Sequence, residues 1–228
     1  MAARKPFPFA AILFIAAGVF FFASDFCWGL WLVGVTEDFT AFWDAFDLSG
    51  SYFATEIFCF VLGGVLFCRR KNFLNVIVLA ILSALSAWGV VECIYWVLDA
   101  DWAPDLLDYA DCFVALVELL TWVVLTVFAV FLAVGAKEAL KLWFLPGCIY
   151  AVPMLYYTVT NTIDIVKEYV FLLEALRDYG LEYGVEFGNQ SSIYASVCCY
   201  EIYSAQALNA GIFLLGLWFY KMAKCDEK

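Results

Sequence analysis

The most informative absence in this sequence is histidine, which does not occur among its 228 residues. Histidine titrates near neutral pH, so it is the commonest general base in enzymes and the commonest metal ligand in proteins. Its absence excludes histidine-dependent membrane enzymes, including zinc proteases and histidine-based acyl or phosphoryl transferases. Because no Ser-Lys or Gly-x-Gly-Asp motif offers a replacement, we expect no enzymatic activity and no cofactor.

Paired cysteines are also absent. The chain has nine cysteines, but no two have the C-x-x-C spacing of a redox pair or of half a zinc site. Most of them fall inside apolar runs, where a free cysteine packs as a small hydrophobic residue. A disulfide or a reactive thiol stays open as an alternative at Cys27, at Cys112 and at the adjacent pair Cys198 and Cys199.

The N-terminal apolar run lacks a signal-peptide cleavage site. Arg4 and Lys5 precede an apolar stretch over residues 7–23, as they would in a signal peptide. However, Phe21 occupies the position two before Ala23, where cleavage requires a small residue. We therefore expect this stretch to be an uncleaved first membrane span.

The chain has a proportion of apolar residues far above the range of soluble proteins. Hydrophobic residues make up 66% of the sequence and aromatic residues 20%. A helix of about 20 apolar residues crosses the roughly 30 Å hydrocarbon core of a bilayer. The pattern predicts an all-α integral membrane protein with a single domain over residues 1–228 and six transmembrane helices, at about 7–27, 51–68, 73–98, 110–135, 142–160 and 192–220.

Two further helices are predicted to lie on the outer membrane surface. Residues 37–49 place aromatic side chains at helical spacing with acidic residues opposite, and residues 163–179 carry a similar apolar stripe. A loop is expected over 181–190. The fifth span contains Pro146, Gly147 and Pro153, which predict at least one kink or break.

The distribution of basic residues predicts the orientation. With six spans, ten of the twelve lysines and arginines fall on one side, which also has three acidic residues. The other side has two basic and fifteen acidic residues. Since lysine and arginine favour the cytoplasmic side, we expect both termini in the cytoplasm of a plasma-membrane protein.

Acidic residues also occur within the predicted spans. Reading residues 104–135 as one helix places Asp108, Asp111 and Glu118 within about 80° of one another, as an acidic stripe. Glu118 lies eight residues inside the span that begins at residue 110. A charged carboxyl facing lipid there costs about 2.5–3.5 kcal/mol, so it requires compensation.

Other acids share this depth in the outer half of the membrane. Glu92 and Asp99 lie seven residues apart on one helix face, and Asp25 lies near the outer boundary. No lysine or arginine falls within a predicted span, so the carboxyls are either protonated or arranged around an exogenous cation. The predicted substrate- or ion-binding residues are Glu92, Glu118, Glu201, Asp108, Asp111, Asp99, Glu56, Gln206 and Asn209.

A structural interpretation competes with the binding site. A protonated glutamate that hydrogen-bonds a neighbouring helix stabilises membrane bundles, and Glu56 or Asp25 can reach headgroup water. The main functional hypothesis is transport or capture of a small cationic solute or ion through an outward-facing acidic cavity. The alternative is a non-catalytic assembly, regulatory or sensor subunit bound to a membrane protein partner. Besides the lipid bilayer we expect no nucleic-acid partner, and the sequence does not decide whether a metal binds.

Overall fold

The fold is known from a computed structural model, which describes the backbone of residues 9–46, 51–67, 72–99, 106–179 and 181–225. Within these ranges it describes all side chains except those of residues 44–46, 51–56, 67, 72, 99, 137, 179 and 181–187.

Helices account for the described architecture, and no β-strand occurs in these ranges, which confirms the predicted all-α class. The six α-helices are α1 (Ala10–Thr36), α2 (Ser51–Phe67), α3 (Asn72–Asp99), α4 (Leu106–Val134), α5 (Leu145–Tyr179) and α6 (Leu181–Cys225). Two 3₁₀ segments, Phe39–Phe46 and Lys137–Leu142, follow α1 and α4.

Five of the helical segments are long and apolar enough to cross a membrane: Ala10–Thr36, Phe73–Leu98, Leu106–Val134, Glu138–Asp178 and Gly188–Cys225. Within α2 the described apolar segment is Ile57–Leu66, which is shorter. The protein is therefore an all-helical chain whose apolar segments fit a membrane protein.

The fifth span and the second predicted surface helix form one continuous helix, which corrects the prediction of two separate elements. α5 continues through Pro153 and through a polar run that the sequence suggested as a helix end. The hydroxyls of this run donate to carbonyls four residues earlier, from Thr158 to Met154 at 2.7 Å and from Thr160 to Tyr156 at 3.0 Å. Because the helix itself satisfies these hydroxyls, the polar run does not end it.

The predicted loop over 181–190 is also helical. It forms the first turns of α6, which packs extensively against α5. Only residue 180 separates the two helices, so they form a helical hairpin. In place of the first predicted surface helix, 37–49, the chain forms the 3₁₀ segment Phe39–Phe46, and residues 47–49 lie outside the described ranges.

The six helices form a closed ring. Each helix contacts the next one along the chain, and α6 returns to pack against α1. The ring has a solid end and a hollow end. Its apolar core lies where α1 begins and α6 ends. The core includes five fully buried side chains, Phe14, Leu62, Leu82, Leu125 and Phe219.

α1 and α2 approach each other closely within the solid end. A Cβ atom added at Gly63 would lie 2.7 Å from Ile15 Cγ1 and 3.0 Å from the Ala11 carbonyl oxygen. Only a residue without a side chain fits between these two helices at this distance. The close contact fixes α2 in the ring, although α2 is the shortest of the six helices.

Candidate functional site

The hollow end of the ring contains a cavity with a volume of about 550 Å³. Five helices contribute to its wall: α1, α3, α4, α5 and α6. Trp122, Tyr150 and Leu208 lie in its floor and are at most 2% exposed, and they also belong to the apolar core. The floor therefore separates the cavity from the solid end of the bundle.

Six carboxyl groups line this cavity. They come from four different helices and are Asp25 of α1, Glu92 of α3, Asp108, Asp111 and Glu118 of α4, and Glu201 of α6. Lysine and arginine are both absent from the described lining. When ionised, these carboxyls give the cavity a strongly negative potential, and low-dielectric walls concentrate such a field.

Glu118 lies deepest along α4 among the three acids of that helix. The predicted stripe places it on the same face as Asp108 and Asp111, and α4 is helical throughout Leu106–Val134, as this requires. The Glu118 carboxyl is within hydrogen-bonding reach of the side chain of Tyr157 on α5. This contact joins two walls of the cavity.

Asp25 and Glu201 form a second acidic position, where α1 packs against α6. The Glu201 carboxyl is within hydrogen-bonding reach of the side chains of Asn161 and Ser24. Ser24 is buried and its hydroxyl also donates to the Val197 carbonyl at 3.4 Å. These two side chains belong to α5 and α1 and Glu201 belongs to α6, so its carboxyl lies at the junction of three helices.

The mouth of the cavity carries the remaining carboxyls. The Tyr156 hydroxyl donates to Asp111 Oδ1 at 2.6 Å and links α5 to α4. On α3, the Trp88 indole donates to Glu92 Oε1. The thiols of Cys93 and Cys112 are within hydrogen-bonding reach of each other across the α3–α4 interface, and both line the cavity.

Aromatic rings also line the cavity. The rings come from four different helices, α1, α3, α4 and α5, and belong to Phe21, Trp96, Trp122, Tyr150 and Tyr157. An aromatic face attracts a cation through its quadrupole, and a ring also packs against alkyl groups. The described residues contain no group of three or more His, Cys, Asp or Glu side chains placed to hold a metal ion.

The structure brings five of the nine predicted site residues to one cavity: Glu92, Glu118, Glu201, Asp108 and Asp111. Two others lie elsewhere. Gln206 is exposed on α6. Asn209 is buried and its Nδ2 donates to Met154 Sδ at 3.2 Å, while its Oδ1 has no hydrogen-bond partner in the described part of the protein. The side chains of Asp99 and Glu56 lie outside the described residues.

The sequence analysis did not identify the aromatic residues of the cavity lining. A usable signal exists, because Trp96 follows Glu92 by four residues and Trp122 follows Glu118 by four. In a helix such residues share a face, so each tryptophan lies next to a carboxyl. On α5, Tyr150 and Tyr157 are seven residues apart and also share a face.

No protein-family model, no curated protein and no solved structure matches this chain.

Proposed function

We propose that this protein transports or captures a small cationic solute or ion through the acidic cavity, which opens to the outside of the cell membrane. One observation carries the proposal: six carboxyls from four helices converge on one cavity whose described lining has no basic residue. Packing alone does not require this arrangement, since charged groups within a membrane are costly. A bound cation would neutralise the negative charge of these carboxyls when they are ionised, and the proposal contains no catalytic step.

The proposed topology has six spans with both termini in the cytoplasm of a plasma-membrane protein. Closed-ring packing supports α2 as the sixth span, because α2 contacts both α1 and α3. Its 17 residues extend about 25 Å, near the lower limit for crossing the hydrocarbon core. Among the described residues, Lys141, Lys221 and Lys224 lie toward the solid end of the ring. They support a cytoplasmic position for that end, and hence an outward-facing cavity.

The lengths of α5 and α6 also support this orientation. With 35 and 45 residues, they extend roughly 52 and 67 Å, well beyond the hydrocarbon core. The excess lies where α5 ends and α6 begins, which is the cavity side. There Gln190 Nε2 donates to the Gly34 carbonyl at 2.9 Å and ties the α6 extension to α1. In our topology this hairpin projects outside the cell, beside the entrance.

The test is cation binding by purified protein and its dependence on Glu118. We expect at least one of three probe cations, spermidine, tetraethylammonium or Mn²⁺, to bind the wild type in detergent. Glu118→Gln keeps the shape of the side chain and removes its charge, so it should abolish that binding. Glu138→Gln is the matched control, because Glu138 is exposed and pairs with Lys141 outside the cavity. Wild-type binding that Glu118→Gln leaves unchanged would refute the proposal.

One observation favours the alternative, a non-catalytic assembly, regulatory or sensor subunit. α5 carries an exposed apolar stripe that continues along its extension and includes Val159, Ile163, Val166, Val170 and Leu173, each 48–64% exposed. Their spacing of three and four residues is that of a helix-packing seam. If no probe cation binds, and a defined partner co-purifies in a manner lost with Val166→Glu, this alternative replaces the transport proposal.

A further inference from the structure

We infer that the cation taken by this cavity is an elongated organic polycation, a diamine or polyamine, rather than a metal ion. The inference rests on the proposed function and names its substrate class. The first support is size. A cavity of about 550 Å³ falls within the roughly 300–1,000 Å³ range of sites for small organic molecules. A metal ion would leave most of this volume without contacts.

The distribution of the carboxyls is the second support. Ca²⁺ takes six to eight oxygen ligands at about 2.3–2.6 Å, which requires several carboxyls to meet at one point. In the described residues no three His, Cys, Asp or Glu side chains meet in that way. The acids of this cavity are therefore placed to contact several separate positive centres rather than to share one.

The spacing along α4 gives the separation of these centres. Glu118 follows Asp111 by seven residues and Asp108 by ten, which is about 10 and 15 Å along the helix axis. Nine bonds separate the terminal nitrogens of spermidine, and at about 1.25 Å of advance per bond they lie roughly 11 Å apart when extended. A molecule of this kind can contact the deep carboxyl and a mouth carboxyl at the same time. A single ammonium group cannot.

The aromatic rings of the lining are the third support. The methylene chain of a polyamine loses its water on entering the cavity, and Phe21, Trp96 and Tyr157 offer apolar surface to it. Ring faces also attract ammonium groups, with tryptophan the best of the natural side chains. These contacts favour an alkylammonium ligand over a hydrated metal ion, which needs polar ligands on every side.

The experiment compares probes that differ in the number and separation of their charges. Binding to the purified full-length protein in detergent is measured calorimetrically for spermidine, putrescine, n-butylamine, tetraethylammonium, Mg²⁺ and Mn²⁺. We expect spermidine to bind at least about tenfold more tightly than n-butylamine, since it makes one more charge-assisted contact. Putrescine, whose two nitrogens are closer together, should fall between them.

Variants test both ends of the proposed ligand. Glu118→Gln and Asp111→Asn should each weaken spermidine binding by about 10- to 100-fold, because each removes one charged partner. Asp111→Asn should change n-butylamine binding much less than spermidine binding if the single ammonium occupies the deep position. Glu174→Gln is the matched control, since Glu174 is exposed on the same side of the bundle and does not line the cavity.

A second measurement locates the ligand in the wild-type protein through the two cavity thiols. Spermidine should slow the reaction of Cys93 and Cys112 with a cationic methanethiosulfonate reagent, and the protein with both residues changed to serine gives the background from the other cysteines. Unchanged labelling at saturating spermidine would place the ligand elsewhere and overturn the inference.

The outcomes separate the inference from the proposed function. If Mn²⁺, tetraethylammonium or n-butylamine binds in a Glu118-dependent manner at least as tightly as spermidine, the proposed function stands and the polycation inference is wrong. If none of the probes binds, both are wrong. Spermidine binding that neither Glu118→Gln nor Asp111→Asn weakens also overturns the inference.

Discussion

The contact between α1 and α2 allows a sharp test of the closed ring, by changing Gly63 to alanine. The new Cβ would lie 2.7 Å from Ile15 Cγ1, whereas carbon atoms pack best at about 3.5–4.0 Å. It would also lie 3.0 Å from the Ala11 carbonyl oxygen, which belongs to the α1 backbone and cannot rotate away. The helices must therefore separate by several tenths of an ångström or more, and such overpacking costs about 1–3 kcal/mol.

The neighbouring residue supplies the control. A Cβ added at Gly64 has no heavy atom within 4 Å beyond its own surroundings in the helix. Gly64→Ala should therefore stabilise the protein by up to about 1 kcal/mol, because alanine loses less backbone entropy than glycine when a helix forms. The same substitution at adjacent positions should thus change stability in opposite directions.

The measurement is the free energy of unfolding in mixed micelles, by titration with SDS and detection of tryptophan fluorescence. We expect Gly63→Ala to unfold at a lower SDS fraction than the wild type and Gly64→Ala at an equal or higher one. If both variants are equally stable, α1 and α2 do not pack as described, and the argument for α2 as a ring member and sixth span is refuted.

Two further predictions concern the cavity mouth and the topology. Tyr156→Phe removes the hydroxyl that donates to Asp111. Because this bond lies at an exposed position, its loss should lower the free energy of unfolding by only about 1 kcal/mol in the same titration. Tyr169→Phe changes an exposed tyrosine of α5 and should have no effect. Reporter proteins fused to each terminus should both fold in the cytoplasm, because six spans put both termini on the same side and the basic residues favour the cytoplasmic one. Reporters on opposite sides of the membrane would indicate an odd number of spans.

Prediction from the sequence was most successful for α3 and α4. The predicted spans 73–98 and 110–135 match Asn72–Asp99 and Leu106–Val134 to within a few residues. These helices follow long apolar runs, and hydropathy alone determines where such a run lies. The face shared by Asp108, Asp111 and Glu118 follows from helical periodicity, which is local information.

Prediction failed where tertiary contacts decide helix length. The polar residues Thr158 and Thr160 predict the end of a span, but their hydroxyls donate to backbone carbonyls within α5, so the helix continues. The first turns of α6 looked like a loop, yet they pack against α5. Gln206 and Asn209 belong to the predicted binding set but do not line the cavity, because the rotation of α6 about its own axis decides which of its side chains face it.

The sequence by itself determined that the chain is helical, apolar and asymmetric in charge, because hydropathy, periodicity and residue counts depend only on the order of residues. It also placed carboxyl groups inside several apolar segments that contain no lysine or arginine. Only the tertiary structure decided that these carboxyls share one cavity with aromatic side chains, above a packed floor. The physical reason is that the distance between side chains on different helices depends on how the helices pack around the ring, and no local pattern in the sequence encodes that distance.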